Sequence, residues 1–214
     1  NGITIASSAA SLSITGNTFN RNRVDILVEP LVAANAVISG NLFDATGSTF
    51  EGGWPDAGIS AKKGSVVFVG LPQTNELKAK NTFRNLIKGA DGFFSTMNFR
   101  YAEFSCINQS GIRANGGRID VRASGSFRNL FQHNFADINT FGSNLFVYGS
   151  DFKEGLTNNI TSAQNLNGQI VDIGRLGNNR ENTIEIDDNN DFANFKTGIV
   201  LDRPSGASDC NLWG

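Results

Sequence analysis

Residues 16–19 read GNTF, and the pattern of an Asn two residues before a Phe returns as GNLF at 40–43 and KNTF at 80–83. The gaps between these copies are longer than any hairpin loop. A chain shows such a pattern when it winds so that equivalent side chains come to lie above one another.

Aligned on the aromatic, the series runs SITGNTF to Phe19, VISGNLF to Phe43, LKAKNTF to Phe83, NFRYAEF to Phe104, RASGSF to Phe127, VYGSDF to Phe152 and DDNNDF to Phe192, at intervals of 24, 40, 21, 23, 25 and 40. Unequal spacing about a common unit means loops of variable length on a constant coil. Short alternating stretches precede the anchors: Leu12 and Ile14, Met97 and Phe99, Ile119 and Val121, Leu145 and Val147, Ile184 and Ile186. Period-two alternation makes these half-buried strands. A second apolar element follows most anchors, as in RVDILV (23–28), SGIRA (110–114), NLFQH (129–133) and TGIVLD (197–202), and no amphipathic helix separates the elements.

The pattern predicts an all-β fold, a parallel β-helix (solenoid) of roughly 21–25 residues per coil with two longer coils. Coils stack about 4.8 Å apart. Phe19, Phe43, Phe83, Phe104, Phe127 and Phe152, with Phe192 in the same series, are therefore expected to form an interior column. Asn17, Asn41 and Asn81, joined by Asn182 and Asn190, are expected to form an amide ladder along a bend, with Gly before Asn supplying the tight backbone conformation. Of the two long intervals, the first holds STFEGGWPDAG (48–58), read as an inserted loop. The second holds 163–182, read either as an extra coil or as a long loop.

Composition narrows the function classes. A length of 214 residues suits a single domain over 1–214, and 17 Phe against 2 Tyr and 2 Trp is an aromatic content without polar tips, hence core. The net charge of -2 and pI of about 5.4 offer nothing to nucleic acid or an anionic membrane surface. No apolar run is long enough for membrane insertion. The chain opens without Met on the strand-like GITI, so it reads as a processed protein or a segment of a longer one. Its coil ends would then need flanking domains or self-association to cover them. Cys106 and Cys210 fall in coils several rises apart and are read as free thiols.

GNTFNRN, KNTFRNLIKGADG, GSFRNLFQHN and SDFKEGLTNN together make the chain resemble the right-handed parallel β-helix repeat family, the pectate-lyase-like superfamily, and in particular repeat-rich secreted and surface proteins of Bacteroidota. The resemblance covers most of residues 1–204. It implies a right-handed solenoid, an extracellular or cell-surface location, and a polysaccharide or cell-surface partner. Members include polysaccharide lyases, glycoside hydrolases, tailspikes and adhesins, so the fold does not choose among activities.

The chain offers three places for chemistry. Glu185, Asp187 and Asp188 in TIEIDDNND form the best carboxylate cluster, with Glu185 and Asp187 on one side of a strand as paired carboxylate catalysis requires. The only histidine is His133, and the Gly-His-Gly and Asn-Thr-Asp signatures of the hydrolytic members are missing. The same carboxylates are a weak Ca²⁺ candidate; no other metal or cofactor is implied. Arg118 and Arg122 alternate outward with Asp120 in GRIDVR, with Arg100 nearby, a basic stripe suited to carboxylate or sulfate recognition. Trp54, on the inserted loop, is a candidate for stacking on a sugar ring. The bland alternatives are a solvated strand end, arginines paired with their own Asp120, and a Trp tucked over the coil. The sequence thus points to a structural or adhesive extracellular module, with a glycan among its expected ligands. The alternative is a polysaccharide lyase or glycoside hydrolase acting on acidic polysaccharide.

Overall fold

The computed structural model describes residues 1–8, 12–20, 22–46, 56–70, 80–153, 170–173, 184–186, 190–192, 199–202 and 210–212. Within them the chain is all-β, and every strand pair is parallel. The strands are β1 (Ile3–Ile5), β2 (Leu12–Thr15) and β3 (Thr18–Phe19), then β4 (Val24–Val28), β5 (Ala33–Ser39) and β6 (Leu42–Asp44). Next come β7 (Ala57–Ala61), β8 (Val66–Val69) and β9 (Asn81–Arg84), followed by the long β10 (Lys88–Phe99) with β11 (Ala102–Ser105). The long β12 (Ser110–Arg122) leads to β13 (Asn129–Gln132), and β14 (Ile138–Phe141), β15 (Asn144–Tyr148) and β16 (Ser150–Lys153) follow. The last five are β17 (Ile170–Ile173), β18 (Ile184–Ile186), β19 (Asp191–Phe192), β20 (Ile199–Asp202) and β21 (Cys210–Leu212).

Each strand pairs with its counterpart in the next circuit of the chain. One sheet has fourteen strands, with β10 and β12 running unbroken across both of its halves; β3, β6, β9, β11, β13, β16 and β19 form the second, seven-stranded sheet. Parallel pairing needs a long return connection, and here the return passes through the other strands of the circuit. In the second long interval β17 pairs with β14 and β18 with β15, so 170–173 and 184–186 are strands of a single circuit, while 163–169 and 174–183 lie outside the described residues. In the first, Ala57 and Gly58 already belong to β7, while 47–55 lie outside the described residues.

The register aligns the aromatic anchors. Phe19 pairs with Phe43, Phe43 with Phe83, Phe83 with Phe104, Phe104 with Phe131 and Phe131 with Phe152. Their rings stack at centroid distances of 5.0, 4.4, 4.7, 4.9 and 4.9 Å, with planes within 9° of parallel. Phe127, expected in this column, is outside it. It forms an isolated antiparallel bridge with Ser124 and lies edge-on to Tyr101, half-buried. Phe131 takes the place because Asn129-Leu130-Phe131 repeats the Asn-x-Phe spacing, which Gly125-Ser126-Phe127 lacks. The backbone of Phe192 continues the row beside Phe152.

An Asn stands two residues before Phe19, Phe43, Phe83, Phe131 and Phe192, and Ala102 and Ser150 hold that place before Phe104 and Phe152. The Oδ1 atoms of Asn41, Asn81, Asn129 and Asn190 accept the backbone N–H of Asn17 (3.0 Å), Asn41 (3.1 Å), Ala102 (2.9 Å) and Ser150 (2.8 Å), one circuit earlier. Asn41, Asn81 and Asn190 also donate Nδ2–H to the carbonyls of Ile14, Ile38 and Val147. Where the strands break at the bend, the side-chain amide replaces the missing strand partner, so buried backbone groups stay satisfied. Asn182 lies outside the described residues. Gly16 and Gly40, directly before Asn17 and Asn41, have φ of 67° and 66°, the left-handed conformation expected there.

A third row explains several glycines. Gly2, Asp25, Gly58, Gly89, Gly111 and Asp137 occupy equivalent register positions. A Cβ at Gly89 would lie 2.5 Å from a Phe104 ring carbon and 2.5 Å from the Gly111 carbonyl, and one at Gly58 2.8 Å from the Phe83 ring. The column thus takes its space from the glycines. Asp25 and Asp137 are buried in the same row, each accepting a hydrogen bond from an Asn three residues earlier, Asn22 (3.0 Å) and Asn134 (2.8 Å). Asp137 Oδ2 has no hydrogen-bond partner. Burial pushes the Asp25 carboxyl up to about 6 and that of Asp137 to about 8. At Asp44 burial works the same way, but hydrogen bonds from Thr46, Arg84 and Asn85 outweigh it and bring the group down to about 2.

These rows generate two predictions. Asn81→Ala removes the acceptor for the Asn41 N–H and the donor to Ile38, and should cost about 1–3 kcal/mol in urea denaturation. For pH, Asp25 and Asp137 have folded values above the unfolded one, so their stabilisation is complete below the ordinary 3.8 and is lost as pH rises through about 6 and about 8. Asp44 has the opposite sign and loses its contribution as pH falls from 3.8 toward about 2. Stability should therefore peak near pH 4, and between about pH 6 and 8 the wild type should lose about 1.4 kcal/mol per pH unit. Urea midpoints across that range should be flat in Asp137→Asn.

Candidate functional site

The outer face of the half-sheet formed by β8, β10, β12 and β15 gathers the basic stripe. β12 turns a corner at Gly116 and Gly117, which have φ of 71° and 93°. A Cβ on Gly117 would fall 2.1 Å from the Ser95 carbonyl, so only glycine lets β12 close on β10 there. Beyond the corner, Ile119 and Val121 are buried in the core, while Arg118, Asp120 and Arg122 alternate to the other side. Arg100 follows β10 directly, and its backbone N–H bonds the Val69 carbonyl.

Three guanidiniums converge on one carboxylate. Asp120 is 3.0 Å from Arg100, 3.2 Å from Arg118 and 2.7 Å from Arg122, and only 5% of its side chain is exposed. This refines the simple outward reading, because Asp120 lies on the outer side of the strand but beneath its own arginines. Arg122 Nε and Asp120 Oδ1 make no directed hydrogen bond despite their proximity, so charge rather than bond geometry holds that pair. Arg118 Nη2 donates to Asp120 Oδ2, and Arg100 Nη1 also donates to the carbonyls of Phe99 and Asp120. Burial pushes the Arg100 guanidinium below its ordinary value; Asp120 opposes this, and Arg122 and Arg118 add to it.

Aromatic rings on the next strand hold the outer two arginines flat. The Arg118 guanidinium lies 4.0 Å from the Phe146 ring centroid and that of Arg122 4.4 Å from Tyr148. Such cation–π contacts fix a flexible side chain while leaving its in-plane N–H groups at the edge. Arg118 remains 45% and Arg122 39% exposed, against 22% for Arg100. On the other side of Asp120, Asn98 and then Phe68 continue the same register row, and the Phe68 ring is exposed.

Of the residues singled out from the sequence, Arg100, Arg118 and Arg122 are brought together. Trp54, Asp187 and Asp188 lie outside the described residues. The backbone of Glu185 stands beside Phe146, two strands from Asp120. Sequence reasoning missed Phe146 and Tyr148 as parts of this cluster, although NLFVY alternates and so places both on the arginine side. Cys106 is a free, exposed thiol. Among the described residues no group of three or more His, Cys, Asp or Glu is placed to hold a metal ion, and no helix is long and apolar enough to cross a membrane.

The cluster yields a stability prediction. Asp120→Ala leaves three guanidiniums without their common partner and should cost about 1–3 kcal/mol in urea denaturation, below the range for a fully buried pair because water reaches the arginines. Comparison with known protein families, curated proteins and solved structures finds no match to this chain.

Proposed function

We propose that the chain is a run of right-handed parallel β-helix that serves as a structural or adhesive module on the outside of a cell, the folded scaffold itself being its product. The observation that carries this reading is where the perturbed acids lie. Carboxyls raised toward neutrality can flag general acids, yet the two such groups among the described residues, Asp25 and Asp137, are each only 2% exposed, turned into the core and away from the surface. Outside, ion pairs join Arg84 with Asp44, Lys80 with Glu103, Arg128 with Asp151, and Asp120 with three arginines.

A lyase acting on acidic polysaccharide is the second reading, and one observation favours it. Arg100 is shifted downward, the direction a proton-abstracting base needs, and has two further cations beside it for a uronate carboxylate. Against it, a guanidinium starts very high and here lies on a carboxylate that stabilises its charged form.

Incubation with alginate, pectate, chondroitin and neutral glycans separates the two readings. The scaffold reading expects neither unsaturated-uronate absorbance nor new reducing ends. Cleavage that disappears in Arg100→Gln would replace it with the lyase reading.

A further inference from the structure

Two features of the arginine cluster remain to be accounted for by the ion pairs within it. Among the described residues three guanidiniums face one carboxylate, an excess of two positive charges held side by side on a chain whose net charge is -2. Holding like charges together opposes folding unless something else is gained. Further, Asp120 approaches from beneath, and Phe146 and Tyr148 cover one face each of Arg118 and Arg122, which leaves those two side chains fixed in position yet 45% and 39% exposed. Guanidinium edges in fixed positions are the geometry that takes an oxyanion in a paired, planar contact.

We propose that Arg118 and Arg122, with Arg100 behind them, form a binding site for the carboxylate or sulfate group of an acidic glycan. The inference rests on the adhesive reading and names its ligand. The neighbouring surface favours a glycan over an acidic peptide. β10 is hydrogen-bonded to β8 and β12, and β12 to β10 and β15, so no strand edge is open for a peptide backbone to pair with. The surface carries Thr96 and Asn98 on the strand before the arginines, with the exposed Phe68 ring beyond. Hydroxyl and amide groups suit sugar hydroxyls, and a bare ring suits the apolar face of a pyranose. Asp120 positions the guanidiniums and is not itself a ligand-binding group.

The test is calorimetric titration of the whole chain with polygalacturonate, chondroitin sulfate, a neutral galactan and poly-L-glutamate, at low and physiological salt. The wild type is expected to bind at least one acidic glycan, more weakly as salt rises, and not the galactan. Arg118→Gln with Arg122→Gln should weaken that binding by about ten-fold or more, the loss of charge-assisted contacts. Lys62→Gln with Lys63→Gln, an equal charge change at exposed residues in another turn, should leave it within about two-fold. Thermal melts accompany each variant, and should the double Arg variant melt early, Arg118→Gln alone, at the most exposed of the three arginines, replaces it. A preference for chondroitin sulfate assigns the site to sulfate and one for polygalacturonate to carboxylate; both support it. Equal binding of polyglutamate, equal losses in the two double variants, or no glycan binding would each overturn the site. Galactan binding untouched by either double variant would overturn it while leaving the adhesive reading intact, and cleavage of a bound polymer would do the reverse.

Discussion

In-register parallel stacking is the constraint on which the rest of this structure depends. Once Phe43 must pair with Phe83 and Phe83 with Phe104, every residue inherits a fixed neighbour above and below, and each register position becomes a column with one chemistry. A ring column works because strand spacing and aromatic contact distance coincide near 4.8 Å. The amide row at the preceding bend works because one Asn carboxamide accepts from the backbone of the circuit before it and donates to a carbonyl there. The glycines of the third row are the counterpart of the aromatic column: at Gly58 and Gly89 a Cβ would strike the Phe83 and Phe104 rings, so bulk there is possible because the residue facing it has no side chain.

Much of this was legible because a repeat states its own rule several times. Asn-x-Phe at 17–19, 41–43 and 81–83 sufficed to infer stacking, and the paired backbones at Phe152 and Phe192 extend it. The misplacement of Phe127 shows the limit. Spacing from Phe104 does not choose between Phe127 and Phe131; the Asn two residues before Phe131 does, although Ala102 and Ser150 hold that place before Phe104 and Phe152. Asn22 to Asp25 and Asn134 to Asp137 form another repeated spacing, but two copies far apart do not declare themselves until register shows that the two acids share a row. Alternation placed Arg118, Asp120 and Arg122 on the outer side of their strand. It could not show that long side chains fold back to cover a short one, because alternation encodes direction and not coverage.

The electrostatics divide along the same line. Asp25 and Asp137 favour the neutral form because burial strips water from the carboxylate, and the single Asn donor that each has offsets this only in part. Asp44, at the rim, collects donors from Thr46, Arg84 and Asn85 and favours the anion. Similar chemistry in the sequence therefore takes opposite ionisation according to whether the donors the fold supplies are enough to outweigh the loss of water.

A repeating interior also makes the exterior easier to interpret. Residues that recur in each circuit answer to stacking, so a surface group without a counterpart in the neighbouring circuits is not required by the fold. At the level of Arg118 and Asp120 the circuit before carries Thr96 and Asn98, while Arg122 follows Arg100 in the same column; the circuit after carries Asn144, Phe146 and Tyr148. Arg118 has no like residue in either neighbouring circuit, and the aromatic residues that steady Arg118 and Arg122 come from the adjoining one. Two circuits thus contribute different parts to one charged surface, on which the described residues set three arginines against the single carboxylate of Asp120.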